Sequence, residues 1–281
     1  MKICFSEEDD VNFIRWAANL LLPFFREGSI TAVRQTESPD AMIASIWRNH
    51  EFRSGLPVIL VTNENWRLFP PHAPLHKYAA VVGIYPPKER CHFIRFPYAA
   101  VHFDVAVEDL YRVRKEFLND RPSRFCCFVT SGMLGELAEE RMALFRRINS
   151  WKRVHSAGKV LNNVQYLAPH GLDFLRWISR FRFMICLENS KETGYITEKP
   201  FQPWFAGSVP IYDGGCVDEL NPDAILNVSA GDVLEQLEAL ESQPALYDAR
   251  RHAELSAVPL SLEPFKRDFK KRMVEIGLMS D

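Results

Sequence analysis

Short apolar runs constrain this chain more than any other feature. Residues 2–6, 31–33, 41–46, 58–61, 79–84 and 92–96 form such runs in the first half. Residues 125–130, 183–187, 209–212 and 224–228 form them in the second. Runs this short, bounded by turn residues, predict strands rather than helices. Between them the apolar spacing changes. Phe13, Ala17, Leu20, Leu21 and Phe24 repeat at helical intervals over 11–26, and Leu137, Met142, Leu144, Phe145 and Ile148 do so over 136–148. Further helices are expected at 107–118, 172–180, 201–205 and 233–241. In the second half strand and helix alternate, which calls for a parallel sheet with right-handed crossovers. The polar segment NDRPSR at 119–124 reads as a boundary. We therefore expect two α/β domains, 1–120 and 121–262, facing across a cleft. A helix at 263–278, basic on one side (Lys266, Arg267, Lys270, Lys271, Arg272), either packs back on the first domain or simply closes the chain.

Composition narrows the function. A hydrophobic content of 47% over 281 residues supports real cores. A net charge of −2 leaves no nucleic-acid footprint. Six scattered cysteines without CxxC spacing argue against a zinc or thioredoxin-like site and fit a reducing cytoplasm. The start MKICFSEEDD turns acidic too soon for a signal peptide, and the acids at 7–10 read as a solvated turn. His72, His76, His92 and His102 lack metal-ligand spacing. No apolar run is long enough to span a membrane. A peripheral contact through the basic helix is the most that is expected, and a solvated face is the ordinary reading of such a helix.

The stretch FMICLENSKETGYITEKP, residues 183–200, carries the chemistry. If 183–187 is a central strand, Glu188 and Asn189 stand at its carboxyl end, where open parallel sheets bind ligands. Thr197 can cap the next helix, Pro200 suits its first turn, and Gly207 suits its end. The free N–H groups there, with Lys199, favour an anion. An ordinary capped helix explains the same residues. Glu188 can equally touch ligand or hold backbone amides.

The motifs resemble the α1,3/1,4-fucosyltransferases, glycosyltransferase family ten. FMICLENS, GYITEKP, AGSVPIYDGG and NPDAILNV follow that family's order and spacing. Upstream, RFCCFVTSG, ERMALFRRINSWKRVHSAGKVLNN and PVILVTNENW are similar to its earlier elements. The resemblance implies a GT-B fold and inverting transfer of L-fucose from GDP-fucose to a hydroxyl of an oligosaccharide or glycolipid acceptor, α1,3 to a GlcNAc- or glucose-type residue. It implies no obligatory cofactor and no metal. Lipopolysaccharide-type glycan synthesis at the inner face of a membrane is the setting expected. Carried over, Asn189, Tyr195, Glu198 and Lys199 match the donor-binding signature. Arg141 matches the arginine that faces the pyrophosphate, Glu64 the proposed base, and His155 and Ser156 lie in the donor loop. Arg141 and Lys199 would carry the leaving group's charge, so they join Glu64 as expected catalytic residues.

Three stretches depart from the pattern: Thr130-Ser131-Gly132 stands for Ser-Asn-Pro, Ala157 for a glycine, and Trp66 for a glutamate of some bacterial members. Two alternatives stay open: a transferase for another GDP-sugar, and a catalytically silent glycan- or nucleotide-binding protein.

Overall fold

The computed structural model describes residues 1–6, 11–46, 56–64, 66, 71, 73–103, 105–132, 135 and 137–280. The acidic turn at 7–10, His72 and Glu136 lie outside them. The chain forms two compact units, Met1–His102 with Leu260–Asp281, and Phe103–Pro259.

The first unit holds β1 (Lys2–Phe5), α1 (Val11–Arg26), β2 (Thr31–Ala32), β3 (Ala41–Ser45), β4 (Val58–Val61), β5 (Ala80–Gly83) and β6 (Phe93–Arg95). They make one parallel sheet in the order β2-β1-β3-β4-β5-β6. Every residue of β3, β4 and β5 is buried. That is why these runs are apolar without alternation: both faces of the sheet are covered.

The second unit holds α2 (Val107–Asn119), β7 (Arg124–Phe128), α3 (Ala138–Trp151), β8 (Val154–Ser156), α4 (Gly171–Ile178), β9 (Phe181–Ile185), α5 (Phe201–Phe205), β10 (Val209–Tyr212), β11 (Leu226–Asn227), α6 (Val233–Ser242) and α7 (Pro244–His252). Its sheet is also parallel, in the order β11-β10-β9-β7-β8, which makes β9 central. Phe125, Phe128, Phe145, Phe183, Ile185, Ile211 and Leu237 form its core. Each such side chain contributes roughly 1.5–3 kcal/mol on full burial.

The last helix, α8 (Glu263–Glu275), belongs to the first unit. Phe265, Phe269 and Met273 form its buried face, one helical repeat apart. Phe269 lies 5.1 Å from Phe24 of α1, ring to ring, and Arg272 Nε donates to Ala79 O at 3.0 Å. The basic residues are what remains on the other faces.

Two features differ from the sequence reading. The units divide ahead of the 119–124 segment, because α2 joins the second unit. Two buried arginines explain this. Arg251 of α7 donates to Phe117 O (2.7 Å), Asp120 O (2.6 Å) and Leu118 O (3.3 Å), the carbonyls that end α2, and to Gly207 O (2.6 Å). Arg114 of α2 reaches back to Trp204 O, and to Arg251 O at 2.9 Å, with its guanidinium 3.8 Å above the Trp204 ring. Orphan carbonyls at a helix end need such donors. Second, α5 has only five residues and starts at Phe201, with Pro200 as a cap that makes no side-chain bond. Thr197 is therefore not its N-cap. A helix this short has little aligned dipole to offer an anion. Gly207 does close it, at φ +66° with its N–H on Trp204 O at 3.0 Å.

Candidate active site

β9 ends at Ile185, but backbone pairing carries on: Cys186 N–H donates to Ile211 O (3.0 Å) and Glu188 N–H to Asp213 O (2.9 Å). Glu188 thus leaves the carboxyl edge of the central strand fixed at its backbone. Its side chain is fully buried. Oε1 accepts from Thr197 N at 2.8 Å and from the Tyr212 hydroxyl at 3.4 Å. Oε2 accepts from the Thr197 hydroxyl at 2.7 Å and from Lys199 Nζ at 3.1 Å. The Thr197 hydroxyl in turn accepts from Lys199 Nζ at 3.2 Å.

The loop between Asn189 and Thr197 is held at close quarters. Gly194 turns it at φ +86°, where an L side chain is strained, and Tyr195 N–H donates to Glu192 O at 3.0 Å. A Cβ on Gly215 would run into Glu192 O, and one on Gly135 into Asn189 O. A Cβ on Gly214 would stand 2.7 Å from Glu188 Cγ. Lys191 adds an ion pair with Asp213 at 2.8 Å. The loop therefore lies backbone to backbone against two neighbouring segments.

Arg141 projects from α3 into this place. It is 7% exposed, and its Nη1 donates to Asn189 Oδ1 at 2.9 Å. Burial pulls its pKa down, while Glu188 and Tyr195 act against that. Lys199 shows the opposite balance. Burial lowers its pKa, but Glu188 and Glu198 together outweigh burial, and the net direction is upward. Arg141 opposes that rise, so the two cations lie within each other's field. Tyr195 is buried, at 2% exposure, rather than lining an open surface. Glu198 is half-exposed, and its carbonyl accepts from Gln202 N at 2.9 Å.

Ser156 closes β8 and is fully buried. Its backbone is pinned by Asn163, whose Oδ1 accepts from Ser156 N at 2.9 Å. Its hydroxyl finds no partner among the described residues. His155 packs 5.3 Å from Phe181, ring to ring. Gly158 is needed where this loop meets the one after β7, because a Cβ would collide with the backbone of Thr130. Ala157 fits where the resemblance has a glycine: it is buried, and its N–H bonds to Phe128 O at 3.1 Å.

Glu64 belongs to the first unit. It follows β4, half-buried, with its N–H on Thr62 Oγ1 at 3.0 Å. Trp66 is fixed nearby by Tyr85, whose hydroxyl accepts from Trp66 N at 3.0 Å and whose carbonyl accepts from Nε1 at 2.8 Å. Its ring packs on the core around Leu75, Tyr78 and Val81.

Arg141, Asn189, Tyr195, Glu198 and Lys199 are thus brought together by one sheet edge, and Ser156 lies at the same carboxyl end on β8. Glu188, left open by sequence, is the anchor of the group. Its signal was a carboxylate placed directly after a buried strand. Asp213 and Lys191 were not foreseen; nothing local in the sequence marks an ion pair between two loops. Among the described residues, no cluster of three or more His, Cys, Asp or Glu could hold a metal ion. Nor is any helix among them long and apolar enough to cross a membrane.

Residues 121–249 match the family model for the C-terminal domain of glycosyltransferase family 10 (fucosyltransferase). The chain is similar to the alpha-(1,3)-fucosyltransferase FucT of Helicobacter pylori, 32% identical over 106 residues, 37% of this chain and 21% of that protein. The chain thus spans about a fifth of the length of that curated relative. Among solved structures, that of an alpha1,3-fucosyltransferase with GDP superposes at a TM-score of 0.72, with 18% identity, over 98% of this chain and 90% of that one. An alpha1,3-fucosyltransferase with GDP-fucose superposes at 0.70, with 19% identity, over 100% of this chain and 91% of that one. At such identities the likeness establishes the fold, the GT-B class of paired parallel α/β domains. Residues 121–249 thus carry the C-terminal domain of glycosyltransferase family 10, the fucosyltransferase family.

Proposed function

We propose that the chain transfers L-fucose from GDP-fucose to a hydroxyl of an oligosaccharide or glycolipid acceptor. The transfer inverts the anomeric carbon and forms an α1,3 linkage to a GlcNAc- or glucose-type residue. One observation carries this reading: Arg141, Asn189 and Lys199 are gathered around Glu188 at the carboxyl edge of β9, inside the segment that matches the family model.

The chemistry accounts for each residue. Cleaving the sugar–phosphate bond leaves extra negative charge on GDP. Arg141 and Lys199 are fixed cations suited to that charge, and removing one such donor typically costs ~10²–10³ in rate. They fill the role a divalent ion would otherwise take, so the reaction needs no metal. Asn189 and Glu198 bind and orient the donor, while Tyr195 and Ser156, at 2% and 0% exposure, support the site from beneath. Glu64 takes the acceptor hydroxyl's proton as its oxygen attacks. A carboxylate is a weak base for an alcohol, so the proton moves late, once the glycosidic bond has weakened. One base and no enzyme nucleophile suffice for a single displacement. The work is done in the cytoplasm, with at most peripheral membrane contact near an anchored acceptor.

A glycan-acceptor panel with GDP-fucose, GDP-mannose and UDP-sugars, read by mass spectrometry, tests this. The expected result is fucose transfer that survives EDTA. E64Q is expected to keep GDP affinity and lose most turnover. Preferred transfer from another donor reassigns the sugar. GDP binding without turnover by the wild type marks a silent binding protein, and metal-rescued loss in EDTA overturns the metal-free account.

A further inference from the structure

We infer that Glu188 is a positioning residue for transfer: its buried carboxylate holds Lys199 and the 197–199 segment in the shape that meets the donor's diphosphate. The inference rests on the donor-binding role proposed above for Lys199.

Four donors converge on the two oxygens, namely Thr197 N, the Thr197 hydroxyl, Lys199 Nζ and the Tyr212 hydroxyl, at 2.7–3.4 Å. An ionised carboxylate accepts about four hydrogen bonds. Glu188 has no acceptor capacity left for a sugar or ribose hydroxyl, and no surface through which one could reach it, being 0% exposed. It therefore acts through its neighbours. Those neighbours lie on different parts of the fold. Thr197 and Lys199 belong to the segment leading into α5, Tyr212 ends β10, and Glu188 itself leaves β9. Gly214 completes the cradle, since any side chain there would press on Glu188 Cγ at 2.7 Å.

Lysine is a flexible side chain with a point charge at its end. Left alone it can reach a phosphate in many geometries. Tied to Glu188 and to the Thr197 hydroxyl, the ammonium has one place. Glu188 also offsets the charge of the ammonium, 3.1 Å away, before the leaving group gains its extra charge. The pair thus trades attraction for the ground-state diphosphate against geometry at the moment of bond cleavage. Glu198 faces the same ammonium from its own segment, and Arg141 faces it from α3.

The expected signature is a split between binding and turnover. In E188Q the ammonium loses its countercharge and its fixed place. GDP should bind no more weakly than to the wild type by calorimetry. Turnover with GDP-fucose should fall about 10- to 100-fold, the scale of a misplaced group. K199M should lose both, and E188Q/K199M should turn over no more slowly than K199M alone. Parallel loss of GDP affinity and turnover in E188Q, turnover held within about threefold, or additive losses in the double variant would each overturn the inference. Should E188Q not fold, T197V carries the test, because it removes one leg of the same cradle. Lower kcat with GDP affinity kept supports the inference, and unchanged kcat ends it. A wild type that binds no GDP, or turns over no donor, fails at the earlier step and takes this inference with it.

Discussion

Replacing Lys199 with methionine should destabilise the second unit more than any loss of packing explains. Methionine keeps the apolar stem. What it removes is the cation facing a carboxylate with no solvent access: the Glu188 side chain is 0% exposed and that of Lys199 is 19% exposed. Breaking a buried pair by removing one partner costs roughly 3–5 kcal/mol, because the remaining charge is stranded. Glu188 keeps its bonds from Thr197 and Tyr212, and the ammonium had some water. The low end, about 3 kcal/mol, is therefore expected. For a unit of this size that is a fall of about 6–12 °C in Tm. Thermal melts followed by circular dichroism, with chemical denaturation to obtain the free energy, measure it. The double variant E188Q/K199M should recover at least half of the loss, since removing both partners leaves no orphan charge. A K199M loss below about 1 kcal/mol, or a double variant less stable than K199M, would refute the stranded-charge argument.

Three other outcomes follow from the structure. R251L should cost the second unit about 3 kcal/mol or more, since it removes the guanidinium bonds to the carbonyls of Leu118, Asp120 and Gly207 and leaves Phe117 O with the Asp120 N–H at 3.3 Å; hydrogen exchange over Val107–Asn119 should rise. G215A should displace residues 191–192, because a Cβ there meets the Glu192 backbone; the melting of the unit should fall by the equivalent of about 1–3 kcal/mol, with weaker GDP binding by calorimetry. Burial, with Arg124 and Arg153 nearby, lowers the pKa of His155. The unfolded chain therefore takes up this proton first as pH falls, so stability drops on acidification through about pH 6.5, and H155Q should show a shallower drop in denaturant titrations.

The short runs at 58–61, 125–130 and 209–212 are legible as strands because a sheet covered on both faces needs continuous apolar residues. The resemblance in ENS, YITEK and VPIY was legible because those residues are contiguous in the chain. The helix expected from Thr197 was misread. Thr-Glu-Lys-Pro looks like a capped start, but the Thr197 hydroxyl is committed to Glu188, nine residues earlier. The domain boundary was placed on local polarity at 119–124, and local polarity says nothing about Arg251, more than a hundred residues away, which holds the end of α2.

By itself the sequence determined that this chain is a parallel α/β protein, with its polar signature at a strand's carboxyl end, since apolar periodicity and contiguous motifs are local properties. Only the tertiary structure decided what those residues do to one another. It buried Glu188 beneath Lys199, paired Arg141 with Asn189, and pressed Gly135 and Gly215 against the loop and Gly214 against Glu188. The physical reason is that burial and electrostatic pairing depend on distance in space, and the partners that set them lie on separate strands and helices.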